Sequence, residues 1–202
     1  KLNLLDAAGE WYYDKSNGYL YLWAPGSVNP STLTVEASVY YSGVNCYWQR
    51  NYCVIQNLTF QHQRYGSVVN GGANYVTVAN CTMQDTYHGI RSVGNNNNYN
   101  NNMIRRTYAT GAMLIDNNTI FEYNTLENIA LKKGMGETGW GYFGVRSSGQ
   151  NTIIRGNRFD HIGYSPIIID ANQLVEKNVM SNYSEILNDG GGIAFDNTDG
   201  VV

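Results

Sequence analysis

Charge is scarce in this chain. Asp, Glu, Lys and Arg make up 14% of its 202 residues, against about 25% in an average domain, so a charge-rich helical protein is excluded. Disorder is excluded too, because hydrophobic residues make up 43% and tyrosine alone occurs 17 times, enough apolar surface to offset chain ordering. Positive charge is especially thin. The net charge is -3 and the longest basic runs are the pairs Arg105-Arg106 and Lys132-Lys133, which leaves no electrostatic footprint for a nucleic acid partner. Long apolar runs are missing as well. No stretch approaches the roughly 20 residues that span a bilayer, and no charged-then-apolar leader opens the chain, so no membrane insertion is expected. The chain starts at Lys1 rather than Met and reads as a mature or excised segment.

Cysteine is nearly absent, and the number present is odd. Cys46 and Cys53 enclose Tyr-Trp-Gln-Arg-Asn-Tyr, a loop that a disulfide could close in an oxidising compartment, or two thiols could simply sit on adjacent strands. Neither the spacing nor a nearby histidine matches a zinc signature, so no metal is expected from the cysteines. Glycosylation sequons occur at Asn57, Asn80, Asn117 and Asn182. Asn57 and Asn80 fall where a repeat calls for buried asparagine, and are read as accidental.

What the chain does have is a repeat. Val54-Ile-Gln-Asn-Leu-Thr-Phe60, Val76-Thr-Val-Ala-Asn-Cys-Thr-Met83, Ile120-Phe-Glu-Tyr-Asn-Thr-Leu126, Ile153-Ile-Arg-Gly-Asn-Arg-Phe159 and Leu174-Val-Glu-Lys-Asn-Val-Met180 each place an asparagine between two short strands. Met103-Ile-Arg-Arg-Thr-Tyr108 keeps the pattern with Arg106 in place of asparagine. An interval of roughly twenty to thirty residues suits one rung of a stacked solenoid rather than a hairpin meander. A third strand follows in each interval, at 66–69, 88–91, 111–114, 143–146, 166–169 and 192–195. The expected fold is all-β, a right-handed parallel β-helix. The asparagine would tolerate a left-handed bend and bond its counterpart one rung away.

Residues 1–41 differ. Glu10-Trp-Tyr-Tyr13 and Tyr19-Leu-Tyr-Leu-Trp23 flank Asp14-Lys-Ser-Asn-Gly18, predicting an aromatic β-hairpin, with a further strand from Leu33 to Val39. This segment would precede or cap the solenoid at 42–202. Val201-Val202 begins what reads as another rung, so the chain is expected to be part of a longer β-helix, with the remainder of that chain or another surface protein as partner.

Stacked rungs place matching residues of successive turns about 4.8 Å apart. Aligning the third strands puts Ile90, Val145, Ile167 and Ile193 in one inward column. Arg91, Arg146, Ile168 and Ala194 follow in an outward one, then Ser148, Asp170 and Asp196. Asp170 and Asp196 become stacked carboxylates, able to act as acid and base, to hold half of a calcium site, or to be solvated turn residues. A column before the strand holds Tyr65, His88, Tyr142, Ser165 and the Asp189-Gly190 region. His88 and His161, the latter beside Asp160, are candidate acids, bases or hydrogen-bonding groups. The insertion from Leu131 to Phe143 lengthens one rung and carries Glu137, Trp140 and Tyr142 on glycine hinges, as a groove wall would. Asp189-Gly-Gly-Gly192 is no phosphate loop, since no helix and no lysine follow. Aromatic rings beside carboxylates suit a carbohydrate.

The segments Gly9 to Trp23, Val35-Glu-Ala-Ser38, the asparagine-bearing rungs, Phe159-Asp-His-Ile-Gly-Tyr164 and Asn188-Asp-Gly-Gly-Gly-Ile193 resemble secreted bacterial right-handed parallel β-helix proteins. That group includes polysaccharide-degrading glycoside hydrolases of the fucosidase, xylanase and xylosidase types, and the resemblance spans most of the chain. It implies a secreted or cell-surface carbohydrate-active protein, acting on a polysaccharide or oligosaccharide through paired carboxylates without a cofactor. Asp189 matches the aspartate of the family's Asp-Gly-Gly motif, and its partner would be Asp160, Asp170 or a carboxylate beyond Val202. The usual tyrosine after Gly-Ile is replaced by Ala194 and Phe195. Trp140, Tyr142, Tyr164, His88, His161 and Asp196 would contact substrate. Two other activities fit the same residues. A polysaccharide lyase could use Arg91 and Arg146 to neutralise a uronate, and a surface adhesin would need only the aromatic face.

Overall fold

The computed structural model describes residues 2–47, 50–170 and 172–196. It forms two compact units, Lys1–Ala37 and Ser38–Val202. In the first, Trp11–Asp14 pairs antiparallel with Tyr19–Leu22, Trp11 opposite Leu22 and Asp14 opposite Tyr19. Asp14 Oδ1 accepts from the Ser16 amide at 2.9 Å and Asn17 Oδ1 from the Tyr19 amide at 2.9 Å, while Gly18 takes φ 76°, which glycine adopts without steric cost. The expected strand from Leu33 to Val39 does not form. Two 3-10 turns, Pro25–Ser27 and Pro30–Thr32, come first, and residues 34–40 run on without regular structure. Residues 33–39 are all exposed, and exposed backbone groups can bond water in place of a ladder.

The second unit is a parallel β-solenoid. Its first sheet stacks Val54–Gln56, Thr77–Ala79, Asn98–Asn100, Ile120–Glu122, Ile153–Arg155 and Leu174–Glu176. The second stacks Thr59–Gln61, Thr82–Gln84, Met103–Arg105, Thr125–Ile129, Arg158–Ile162 and Val179–Tyr183. The third has seven strands: Ser42–Tyr47, Gly66–Gly71, His88–Val93, Ala112–Leu114, Val145–Ser147, Ile167–Ile169 and Ile193–Phe195. Side chains alternate across a strand, and in the first two sheets it is the second residue of each strand that points inward. Val78, Tyr99, Phe121 and Ile154 form one such column, and Met83, Ile104, Leu126 and Phe159 another. All eight are fully buried.

The corner between the first two sheets corrects the expected asparagine ladder. Two consecutive residues divide the two roles. Asn57, Asn80, Asn101, Tyr123, Gly156 and Lys177 take positive φ, and Asn57 and Asn80 are exposed there. The ladder is the next column. Asn102 Nδ2 donates to Asn124 Oδ1 at 3.0 Å, Asn124 Nδ2 to Asn157 Oδ1 at 3.1 Å, and Asn157 Nδ2 to Asn178 Oδ1 at 3.0 Å. Met103–Arg105 belongs to the second sheet, so Arg106 stands at a different corner. The missing first-sheet strand is Asn98–Asn100, whose flanking residues are polar and whose central Tyr99 faces the core.

Besides the ladder, the core holds a polar cluster around Asp116. Asp116 is fully buried, and its Oδ2 accepts from Ser92 Oγ at 2.8 Å, Asn97 Nδ2 at 2.9 Å and Tyr99 OH at 3.0 Å. Burial pushes its carboxyl above the ordinary carboxylate value, opposed by the hydrogen bonds from Asn97, Ser92 and Tyr99. The folded state therefore holds this proton more tightly than the unfolded state. Its contribution to stability is complete below the ordinary carboxylate pKa and is lost as pH rises from there through the raised folded value. Urea melts from about pH 4 to about pH 8 should show that decline in the parent and a flatter profile in Asp116→Asn. Parallel profiles would mean that Asp116 is ionised throughout.

Candidate functional site

The outward column of the third sheet runs Val69, Arg91, Met113, Arg146, Ile168, Ala194 in paired register. The expected outward alignment of Arg91, Arg146, Ile168 and Ala194 is present, with Met113 between the arginines. Over this column lies the 131–143 loop, inserted between Thr125–Ile129 and Val145–Ser147. Loop and sheet enclose a cleft of about 270 Å³ lined by Arg91, Thr110, Met113, Glu137, Phe143 and Arg146 among others.

Two ion pairs border it. Glu137 presents both carboxylate oxygens to Arg91 NH1 at 3.4 Å, and Arg91 also lies 5.4 Å from the centre of the Tyr65 ring. Arg146 donates to Asp196 Oδ2 at 2.9 Å and lies 4.6 Å from the Trp140 ring centre. Trp140 meets Phe143 edge-on at 5.3 Å, and Phe143 lies 5.4 Å from Tyr164. Tyr164 in turn hydrogen-bonds Asp189; burial first, and then that carboxylate, raise its phenol above the ordinary value. A row of rings thus leads from the cleft to Asp189, which is exposed.

The other expected residues divide between this face and elsewhere. His88 and Tyr142 are buried, at 0% and 3% exposure, rather than at a groove surface. Tyr142 braces the loop from beneath, its hydroxyl accepting from the Gly134 amide at 2.7 Å. Asp170 and Asp196 do stack, since Asp170 N donates to Ser147 O and Asp196 N to Ile169 O, but Asp196 is drawn to Arg146. Asp160 lies on the second sheet, where Ser181 Oγ and Asn182 Nδ2 both donate to its Oδ1 at 2.9 Å. Those bonds, Asn182 first, hold its carboxyl below the usual range. His161 pairs with Glu185 at 2.6 Å on the same side. Asp160 and His161 therefore lie on the second sheet, whereas Asp170 and Asp196 directly follow strands of the third and Asp189 lies in the connection before the last of them. The column before the third strands is one residue out of register: Gly66 pairs with His88, so Tyr65 is a neighbour of His88 rather than its partner.

Sequence reasoning had placed Glu137 on a groove wall without a role. The longer rung, with Asn124 and Asn157 33 residues apart against 22 for Asn102 and Asn124, marks the loop but not that Glu137 turns back to meet Arg91 and His88. Cys46, Cys53 and Cys81 are free; burial, and secondarily Cys53, push the Cys46 thiol up. Among the described residues no three or more His, Cys, Asp or Glu side chains come together as a metal site, and no helix is long and apolar enough to cross a membrane. Val201 and Val202 lie outside the described residues.

No match to the chain was found among curated proteins or among solved structures. The model of one family, described as the right handed beta helix region, matches residues 42–202. The three stacked parallel sheets and that match agree, and the chain belongs to the right-handed β-helix family.

Proposed function

We propose that the protein is an extracellular carbohydrate-active β-helix that hydrolyses a glycosidic bond of a polysaccharide or oligosaccharide in the cleft beneath the 131–143 loop. The observation that carries this reading is the meeting of an aromatic ring with two arginine-carboxylate pairs, Glu137 with Arg91 and Asp196 with Arg146 beside Trp140. A sugar has apolar faces that stack on rings and a rim of hydroxyls that carboxylates and guanidinium groups bind. At about 270 Å³ the cleft falls just below the roughly 300–1,000 Å³ of pockets that enclose a whole ligand. It suits one unit of a chain whose neighbours lie along the open sheet face. Glu137 and Asp196 supply the two carboxylates that glycoside hydrolysis needs, with Asp170 stacked beside Asp196 and Asp189 at the far end of the aromatic row. Placement outside the cell follows from a polymeric substrate.

Digestion of neutral and acidic polysaccharides should release reducing ends with no unsaturated product. Asp196→Asn should lower kcat by about 100-fold or more with little change in KM, and Trp140→Ala should raise KM about tenfold. The pairing of Arg91 and Arg146 in one column favours a second reading, a lyase acting on a uronate. An unsaturated uronate product would establish it in place of hydrolysis, and binding without turnover would leave a carbohydrate-binding surface protein.

A further inference from the structure

Beneath the cleft lies a histidine with incomplete hydrogen bonding. His88 is fully buried, and its Nδ1 sits 2.8 Å from the Thr110 carbonyl oxygen. A carbonyl oxygen only accepts, so Nδ1 carries the ring hydrogen and Nε2 of the neutral ring is a bare acceptor. Nε2 is buried without a hydrogen-bond partner, and it faces Glu137 Oε2 at 3.6 Å. An ionised carboxylate is also only an acceptor. Nε2 is enclosed while Glu137 stays 28% exposed on its cleft side, and two acceptors facing each other gain a hydrogen bond only when a proton lies between them.

We propose that His88 and Glu137 share one proton, and that Glu137 delivers it to the glycosidic oxygen, with His88 as the positioning residue behind it. The surrounding charges and rings fit that division. Tyr87 and Tyr65 close around His88 edge-on at 4.7 and 5.9 Å, and burial raises both phenols, so neither competes for the proton as a base. Arg91 is placed to stabilise the Glu137 carboxylate once the proton has left. Burial pushes the imidazole below its ordinary value, and Arg91 acts the same way, against the Thr110 hydrogen bond and the Glu137 charge. The 3.6 Å separation exceeds a hydrogen bond, as in ligand-free sites that tighten on substrate binding. Glu137 sits between Gly136 and Gly139 on the inserted loop, which can make that adjustment.

The step balances. The bond between the anomeric carbon and the glycosidic oxygen breaks with its electron pair leaving on oxygen, and that oxygen takes the Glu137 proton. The water that supplies the new hydroxyl releases the proton that restores the pair.

This inference rests on the hydrolase reading only for the use made of the proton, so the test has two arms. Nitrogen-15 NMR of the histidines in the full chain should show His88 as the Nδ1–H tautomer. It should also show His88 protonating at lower pH in Glu137→Gln, with proton affinity reduced about tenfold. Glu137 lies on the loop, and the amide is nearly isosteric, so the variant should fold. An Nε2–H tautomer, or the same titration in both proteins, including none in either, overturns the shared proton. In the second arm, Glu137→Gln should lower kcat about 100-fold or more, leave KM within about threefold, and remove the alkaline limb of the pH profile. Turnover with an unchanged profile overturns the assignment while hydrolysis stands. A shared proton in a protein that turns over no carbohydrate overturns its use as a glycosidic acid together with the hydrolase reading.

Discussion

Replacing Asn124 with alanine should destabilise the solenoid by about 3–5 kcal/mol. The Asn124 Oδ1 accepts from both the backbone amide and the side-chain amide of Asn102, at 2.9 and 3.0 Å. Its Nδ2 donates to Tyr99 O at 2.9 Å and to Asn157 Oδ1 at 3.1 Å. Asn102, Asn124 and Asn157 are all at most 2% exposed, so no bulk water replaces what is removed. The Asn102 amide loses its acceptor outright, and each buried group left without a partner costs about 1–3 kcal/mol. Asn124→Asp should do nearly as much damage at almost the same volume, because the carboxylate would face Tyr99 O and Asn157 Oδ1 with no donor. That comparison separates lost hydrogen bonding from a cavity. Next door, Tyr123 has φ 54° and is 57% exposed. Tyr123→Asn should leave the melt unchanged or raise it slightly, since asparagine tolerates the left-handed region. Thermal melts of the three variants would check all of this, and an Asn124→Ala melt within about 2 °C of the parent would remove the ladder's claim to matter.

Gly149→Ala should destabilise the solenoid by more than about 4 kcal/mol. A Cβ at position 149 would fall on the carbonyl oxygen and carbon of Asp116 one rung away, which are backbone atoms that cannot rotate aside. That same carbonyl oxygen accepts from Thr152 Oγ1 at 3.2 Å, and Gly149 O accepts from Gln173 Nε2 at 2.9 Å. Moving either strand connection therefore breaks contacts on both sides. Rungs hold only their neighbours, so the damage should be local. Hydrogen exchange should show lost protection from Val145 onward with the rungs before Ala112 still protected. Uniform protection equal to the parent's would show that the two connections are not in contact in solution.

The repeat was legible because an apolar residue recurs just before a polar one ahead of each corner, as in Phe121-Glu122 and Ile154-Arg155, and Phe159 stands between Arg158 and Asp160. Asn98–Asn100 escaped because both of its outward residues are asparagines, like the loops beside it, and one tyrosine alone does not make a pattern. The ladder was read in the wrong column for Asn57 and Asn80 because asparagine serves both adjacent corner positions for different reasons. In the first it tolerates positive φ, and in the second it bonds across rungs. At the site, register arithmetic placed Arg91 and Arg146 together, and Asp170 next to Asp196. It could not say that Arg146 would reach Asp196, because a side chain long enough to cross two rungs has many rotamers. Nor could it separate His88 from a surface groove residue, since burial at the rim depends on the inserted loop, whose path no periodicity fixes.

That inserted loop also makes the stack mechanically uneven. Successive ladder asparagines are 22, 33 and 21 residues apart. At roughly 3.5 Å per extended residue, a rung peeled from the stack under tension yields about 75 Å of slack. The rung that carries Glu137 yields about 115 Å. Under load the molecule is a spool with one oversized winding, and that winding holds the candidate chemistry.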